Sequence, residues 1–207
     1  SDQEYGKEMM KKKYLMAVAQ TRGIYPEYDG KPIYGAYFEV SDGQTRSASE
    51  LLPSENYPYL VSVPCERDFL SPEYAKTISV GKKEFEVAFE QISKTVVEEE
   101  NLKDIGENRK HESKEGMDII RDSAGYVLFI RYLDAWAEGE ALRYALNLPS
   151  ASFEIEEDSD EILFRCKGAG HGLGLSQFGA NEMALEGKDY IEILNYFFQG
   201  ITLTKIE

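Results

Sequence analysis

Cysteine, histidine and tryptophan are scarce in this 207-residue sequence, which has two, two and one of them, respectively. Two cysteines cannot build the disulfide-dense framework on which many small secreted domains depend. No apolar run approaches the roughly 20 residues that a membrane-spanning helix needs. Basic residues are also few, because 23 Lys and Arg stand against 38 Asp and Glu, giving a net charge of −15. That charge repels phosphate backbones, so we expect a globular protein without a nucleic-acid partner.

The order of the predicted elements favours an α+β fold over a parallel α/β sheet, because antiparallel hairpins alternate with helices. Asp29-Gly30 suits the positive φ angles of a tight turn and would join strands at 24–28 and 33–40. Ser123-Ala124-Gly125 would join a second hairpin. Apolar periodicity predicts a first helix that ends at Gly23, later helices over 82–92, 139–146, 180–186 and 190–198, and strands over 75–80, 152–156 and 162–166. We interpret residues 1–207 as one α+β domain of antiparallel hairpins, a mixed sheet and packed helices.

One segment stands apart in composition. Residues 93–116 are polar and mix Lys, Glu and Asn with few apolar side chains. Such a composition buries little surface, so we interpret 93–116 as a flexible insertion or a weak exposed helix.

A glycine-rich segment near the C-terminus gathers the residues best suited to bind a ligand. Five glycines between 168 and 179 surround an imidazole, a hydroxyl and an amide. Glycines permit positive φ and close approach of a ligand to the main chain. Neutral donors and acceptors suit a sugar better than a phosphate, and neither common phosphate-loop motif fits this segment. The predicted substrate-binding residues are His171, Ser176, Gln177, Gly170 and Gly172.

The same side chains also have structural interpretations. His171 could tie the glycine loop together through its ring nitrogens. Ser176 and Gln177 could instead cap the helix that follows, since serine is common at helix starts.

The two cysteines leave three alternatives open. Cys65 and Cys166 could form a disulfide, could bind zinc together with His171, or could be two buried free thiols. The zinc site would lack a Cys-x-x-Cys pair and a clear fourth ligand. No other cofactor is expected.

The sequence of this segment resembles the closing signature of the stage II sporulation protein D family. That resemblance rests on Gly-His-Gly-Leu-Gly-Leu-Ser-Gln-Phe-Gly-Ala at 170–180 and on Tyr-Ile-Glu-Ile-Leu-Asn-Tyr-Phe-Phe-Gln-Gly-Ile at 190–201. Upstream segments at 17–23 and 57–63, and Glu140-Ala141-Leu142-Arg143, also resemble the family. The resemblance covers most of the chain and is weakest over 93–116.

The family resemblance implies a peptidoglycan lytic transglycosylase. Such an enzyme cleaves between N-acetylmuramic acid and N-acetylglucosamine without water and closes a 1,6-anhydro ring on the muramic residue. One carboxyl group would protonate the leaving oxygen and later accept the O6 proton. The implied partners are peptidoglycan glycan strands and other cell-wall or sporulation proteins. The implied location is extracytoplasmic, with a membrane anchor upstream of this sequence.

The catalytic carboxyl group is the main departure from the family pattern. The family's catalytic glutamate lies in an early Val-Val-x-x-Glu-Met-type segment that this sequence does not contain, so we expect it to precede Ser1. Glu39 stands where many relatives have His and could supply a substitute carboxyl group, or it could be a solvent-facing strand residue. Two functions fit the resemblance: glycan cleavage, or glycan binding by a non-catalytic relative. A third alternative is a cytosolic metal-dependent hydrolase built on His171 and the cysteines, which the shortage of metal ligands disfavours.

Overall fold

A computed structural model describes residues 2–52, 56–93, 110–114 and 116–206. The described residues form five α-helices and twelve strands in mostly antiparallel sheets, which confirms the α+β prediction. The helices are α1 (Asp2–Gln20), α2 (Lys82–Ser93), α3 (Gly139–Ala145), α4 (Gln177–Leu185) and α5 (Tyr190–Phe197). The strands are β1 (Ile24–Tyr28), β2 (Lys31–Pro32), β3 (Tyr37–Phe38), β4 (Ala75–Gly81), β5 (Lys110–Lys114), β6 (Met117–Arg121), β7 (Val127–Tyr132), β8 (Ala135–Glu138), β9 (Phe153–Glu157), β10 (Glu161–Lys167), β11 (Leu175–Ser176) and β12 (Thr202–Lys205). Among the described helices, none combines the length and the apolar character that crossing a membrane requires.

The chain divides into two compact units, residues 1–33 with 200–207 and residues 34–199. In the smaller unit, β1 lies between β12 and β2 in an antiparallel sheet. The predicted Asp29-Gly30 turn is present, with φ angles of 50° and 72°.

The prediction of a continuous strand over 33–40 is wrong. Strand β2 ends at Pro32, and a tight turn follows in which the Ala36 N–H donates to the Tyr34 carbonyl oxygen at 2.9 Å. That turn redirects the backbone, so Tyr37 and Phe38 form β3 in the larger unit.

Two antiparallel sheets build the core of the larger unit. Their strand orders are β5-β6-β7-β8 and β4-β10-β9. Helices α2 and α3 contact the first sheet through β8 and β7, and α2 also contacts β4 and β10. Aromatic side chains fill the core, where the Phe85 ring meets the Tyr132 ring edge-on at 5.0 Å and the Phe153 and Phe164 rings meet at 5.3 Å. Burying such rings contributes the largest share of the stabilising free energy.

The glycine-rich loop is held by three neighbouring parts of the larger unit. Strand β11 pairs in parallel with β3, and single bridges join Val40 to Ala169, Arg46 to Leu173 and Ser150 to Gly170. These backbone contacts fix the loop from residue 169 to 176 against residues 37–46.

Most of the polar segment 93–116 lies outside the described residues. Its described part includes Ser93 at the end of α2, and residues 110–114, which form β5 against β6. The interpretation of the remainder as a flexible insertion stays a prediction.

Candidate functional site

The first candidate site is a cavity of about 460 Å³ in the larger unit, which we name the His171 cavity. Exposed aromatic rings and charged groups line it together. The residues used below are Tyr34, Arg46, Glu50, Glu140, Tyr144 and His171.

Arg46 forms the floor of the His171 cavity. Its side chain is buried, and its Nε donates to Asp122 Oδ2 at 2.5 Å. Its Nη1 donates to Glu140 Oε1 at 3.0 Å and to the His171 carbonyl oxygen at 3.3 Å. The guanidinium also lies 4.8 Å from the centre of the Tyr126 ring. Burial raises the pKa of Asp122, while Arg46 opposes that rise.

Glu140 is one of the acidic residues that line the cavity. It lies in the first turn of α3, and Arg143 Nη1 donates to its Oε2 at 3.0 Å. Arg46 and Arg143 therefore engage both oxygens, an arrangement suited to an anion. The side chain is still 29% exposed, so a ligand can reach it.

His171 lies in the wall of the cavity. Its Nδ1 accepts a hydrogen bond from the Leu173 N–H at 3.1 Å, and its ring packs 5.7 Å from the Phe38 ring. Burial lowers the pKa of His171, an effect that the Glu140 carboxylate and a hydrogen bond to the Tyr37 backbone oppose. The hydrogen bond to Leu173 stabilises the glycine-rich loop, which is the structural role that the sequence suggested for His171. The ring is half-buried and also lines the cavity.

Gly172 allows the loop to lie close to the floor. Its φ is +77°, and a Cβ there would lie 2.6 Å from Tyr126 Cζ and 2.9 Å from Arg46 Cδ. Gly170 has a φ of +104°, and its Cβ would lie 2.7 Å from Phe38 Cβ. Both glycines are therefore required by close packing, whether or not a ligand approaches them.

Ser176 faces the interior of the protein. It is the N-cap of α4, and its Oγ accepts from the Gly179 N–H at 3.1 Å. The same Oγ donates to the buried carboxylate of Asp68, 2.8 Å from Oδ2. The structure thus gives Ser176 the capping role considered above, away from the His171 cavity.

Gln177 and Glu39 are exposed, and neither lines the His171 cavity. The backbone of Glu39 accepts from the Phe178 N–H at 3.0 Å, which holds the start of α4. The structure therefore places Glu39 at a solvent-facing position, the alternative to a substitute catalytic carboxyl group.

Both cysteines are free and buried. Burial raises the pKa of Cys65 to about 12 and that of Cys166 to about 11, so both are poor nucleophiles at neutral pH. Across the part of the chain that the structure describes, no group of three or more His, Cys, Asp and Glu residues is placed to hold a metal ion.

Sequence reasoning missed the polar centre of the cavity. Arg46 is the only basic residue between Lys31 and Arg67. That isolation is the one signal in the sequence that Arg46 pairs with an acidic residue inside the protein. In the sequence, Glu140 is recognisable only as part of the family-like segment 140–143.

Comparison with known proteins matches almost the whole chain to sporulation proteins. Stage II sporulation protein D of Bacillus subtilis strain 168 is 32% identical over 197 residues, which are 95% of this chain and 52% of that protein. Its namesake from Bacillus amyloliquefaciens is 31% identical over 196 residues, with the same coverage. These matches support a stage II sporulation protein D-like family for this chain. The resemblance predicted from the sequence is thereby confirmed.

More distant similarity extends to another Bacillus protein. The amidase enhancer of Bacillus subtilis strain 168 is 23% identical over 229 aligned positions, covering 91% of this chain and 32% of that protein. No protein-family model matches the chain. The chain spans about half the length of the two stage II sporulation D proteins.

Proposed function

We propose that this chain binds peptidoglycan glycan strands in the His171 cavity, as part of a lytic transglycosylase that forms 1,6-anhydro-muramic ends. The names of the relatives suggest a sporulation- or cell-wall-related role. The observation that carries the proposal is the pairing of two exposed tyrosine rings with Glu140 and His171 in one cavity.

The aromatic rings supply the apolar contacts that a sugar needs. Tyr144 is 73% exposed, and the Arg143 guanidinium lies 4.8 Å from the centre of its ring. Tyr34 is also exposed, and its backbone N–H is tied to the Tyr59 hydroxyl at 2.7 Å. A tyrosine ring offers a flat apolar face beside a polar edge, so it can contact the C–H face of a pyranose.

Two of the acidic side chains that line the cavity, Glu140 and Glu50, already have hydrogen-bond partners, which favours an uncharged ligand beside them. Glu140 is engaged by two arginines, and both oxygens of Glu50 accept from Ser123, at 3.0 Å and 2.7 Å. An ionic ligand would have to displace these partners, whereas hydroxyl and N-acetyl groups can share them. This agrees with a target that is glycan without its acidic stem peptides.

The reaction needs one protonated carboxyl group at the scissile bond. It would break the muramic C1–O4 bond as the acid protonates O4, and the C6 hydroxyl would then attack C1 and return a proton to the same group. A doubly clamped Glu140 suits an anion that stabilises positive charge near C1. We assign the acid to the family's catalytic glutamate, expected upstream of Ser1, and we propose an extracytoplasmic, membrane-anchored location for the full protein.

Two assays test this proposal. The chain is titrated with denuded peptidoglycan glycan, and products are then compared for the chain and for a version extended with its natural upstream sequence. We expect binding by both and anhydro products from the extended version. Binding without products from both would support the non-catalytic alternative, and absence of binding by both would refute the proposal.

Two variants test whether the glycan binds in the His171 cavity. Tyr144→Ala should weaken glycan binding about tenfold, which corresponds to about 1.4 kcal/mol of lost contact. Tyr190→Ala is the matched control, because Tyr190 is an exposed tyrosine of α5 that does not line the cavity. Equal losses in both variants would show that the site lies elsewhere.

A further inference from the structure

A second cavity of about 610 Å³ lies in the larger unit, and we name it the Phe69 cavity. The residues that matter here are Asp42, Phe69, Tyr74, Ser123, Ser152 and Arg165. None of them was predicted from the sequence as a binding residue.

Phe69 gives this cavity an aromatic wall with a fixed orientation. Its ring is 52% exposed and meets the Tyr74 ring edge-on at 5.0 Å. It also covers Gly43, where a Cβ would lie only 2.5 Å from Phe69 Cζ. A half-exposed ring held in this way can contact a sugar at little entropic cost.

The polar side of the Phe69 cavity is built around Asp42. Its carboxylate accepts from Ser152 Oγ at 2.5 Å and from the Tyr74 hydroxyl at 3.3 Å. Burial raises the pKa of Asp42, and the Ser152 hydrogen bond opposes that rise. Acceptor and hydroxyl groups therefore stand beside an apolar ring, the combination that hydroxyl-bearing ligands use.

The charged groups around this cavity are also neutralised locally. Arg121 Nε lies 3.3 Å from Glu112 Oε1, and Lys167 Nζ lies 3.5 Å from Glu154 Oε1. These pairs leave little net charge to attract a charged peptide. An uncharged sugar is the better fit.

The turn at 122–125 lines the Phe69 cavity and is hydrogen-bonded to two residues that line the His171 cavity. Ser123 lines the Phe69 cavity, and its backbone N–H and Oγ both donate to Glu50, which lines the His171 cavity. The preceding residue, Asp122, accepts from Arg46 at the floor of the His171 cavity. The hydrogen bonds of this turn therefore connect the lining of one cavity to the lining of the other.

We propose that the Phe69 cavity is a second carbohydrate subsite, which binds sugar units of the same strand beyond those held in the His171 cavity. This inference rests on the proposed function, because it extends that site along the glycan. It predicts that affinity depends on the length of the oligosaccharide.

The test uses uncharged β-1,4-linked N-acetylglucosamine oligomers, from the disaccharide to the octasaccharide, titrated calorimetrically against this chain. Affinity should rise with length. Phe69→Ala should lower the affinity for the longest oligomer about tenfold and leave that for the disaccharide unchanged. Tyr144→Ala should lower the affinity for every length.

Two further variants guard against misfolding. Arg165 is an exposed residue that lines the Phe69 cavity and pairs with Glu156, so Arg165→Ala should preserve the fold and lower only the affinity for long oligomers, by about threefold. Leu70→Ala is the control, because Leu70 follows Phe69, is 74% exposed and does not line the cavity.

The outcomes separate the two proposals. Affinity independent of length, or equal losses at every length in Phe69→Ala and Arg165→Ala, would overturn the second subsite while glycan binding stands. In a parallel titration with peptide-bearing glycan, a loss of affinity in Phe69→Ala that no N-acetylglucosamine oligomer shows would also overturn it, because the cavity would then bind a peptide. If no oligomer binds, the result would count against the proposed function itself. The second subsite would then be refuted as well, because it rests on that function.

Discussion

The larger unit holds two polar clusters, each built around a buried aspartate, that differ in their partners and in their access to solvent. Arg46 lies with Asp122 and Glu140 beneath the His171 cavity, where Glu140 remains partly exposed. Asp68 lies with Ser41 and Ser176 beneath the start of α4, where all three residues are fully buried. The Asp68 carboxylate accepts from the Ser41 N–H at 2.6 Å and from the Ser176 hydroxyl.

The comparison shows that buried polarity does not by itself mark a functional site. The Asp68 cluster satisfies its carboxylate with neutral donors and offers a ligand no entry, so we assign it to the fold. The Arg46 cluster ends at a cavity that a ligand can enter, so we assign it to both fold and function. The predictions below test that division, beginning with the largest expected effect.

Arg46→Leu should destabilise the protein most, by about 3–5 kcal/mol in the free energy of unfolding. The variant leaves Asp122 as a buried charge without its cation, which is more costly than losing one hydrogen bond. Urea denaturation measures the change. Arg67→Met is the matched control, since Arg67 pairs with Glu186 at the surface, and its loss should cost about 0–1 kcal/mol. Similar losses in the two variants would remove the distinction between a buried and a surface arginine.

Gly172→Ala should cost about 3 kcal/mol, because it combines a positive φ with a clash against Tyr126 and Arg46. Gly187→Ala separates these two causes. Gly187 has a φ of +93°, but nothing lies within 4 Å of the Cβ it would gain, so only the backbone penalty of about 1–2 kcal/mol applies. Equal values from thermal or urea unfolding would show that close approach to the cavity floor is unimportant.

Ser176→Ala should cost about 2 kcal/mol, through the lost cap and the weakened hydrogen bonding of Asp68. Glycan affinity should stay unchanged. Gln177→Ala tests the neighbouring exposed residue and should leave the free energy of unfolding within about 0.5 kcal/mol. A loss of glycan affinity in Ser176→Ala at a temperature where it remains folded would break the assignment of this cluster to the fold alone.

The sequence predicted the helices and hairpins well, because apolar periodicity and turn residues within a short segment largely determine such elements. The helix over 82–92 and the hairpin around 123–125 follow from periodicity and turn residues, and both are present. The strand over 33–40 failed because the turn at Ala36 depends on tertiary pairing of β3 with β11. The same limit applies to the site: Arg46, Asp122, Glu140 and His171 meet only through the fold, and no spacing in the sequence joins them.

The smallest predicted effect concerns the pH dependence that His171 contributes to stability. Burial lowers the pKa of His171 below its ordinary value of 6.5, so the unfolded chain binds a proton more readily than the folded protein. The stabilising contribution is therefore complete above pH 6.5 and is lost as the pH falls through the window between 6.5 and the folded pKa. The groups facing the ring limit the effect, because Glu140 favours the protonated form while Arg143 and Arg46 disfavour it.

The difference between wild type and His171→Asn isolates this contribution from the carboxylates that both proteins share. Urea denaturation between pH 8 and pH 5 should show wild-type stability falling more steeply than that of the variant, with an excess slope of at most about 1.4 kcal/mol per pH unit. Parallel curves for wild type and His171→Asn would mean that the pKa of His171 is the same in the folded protein and in the unfolded chain, so that Glu140 fully offsets the effect of burial.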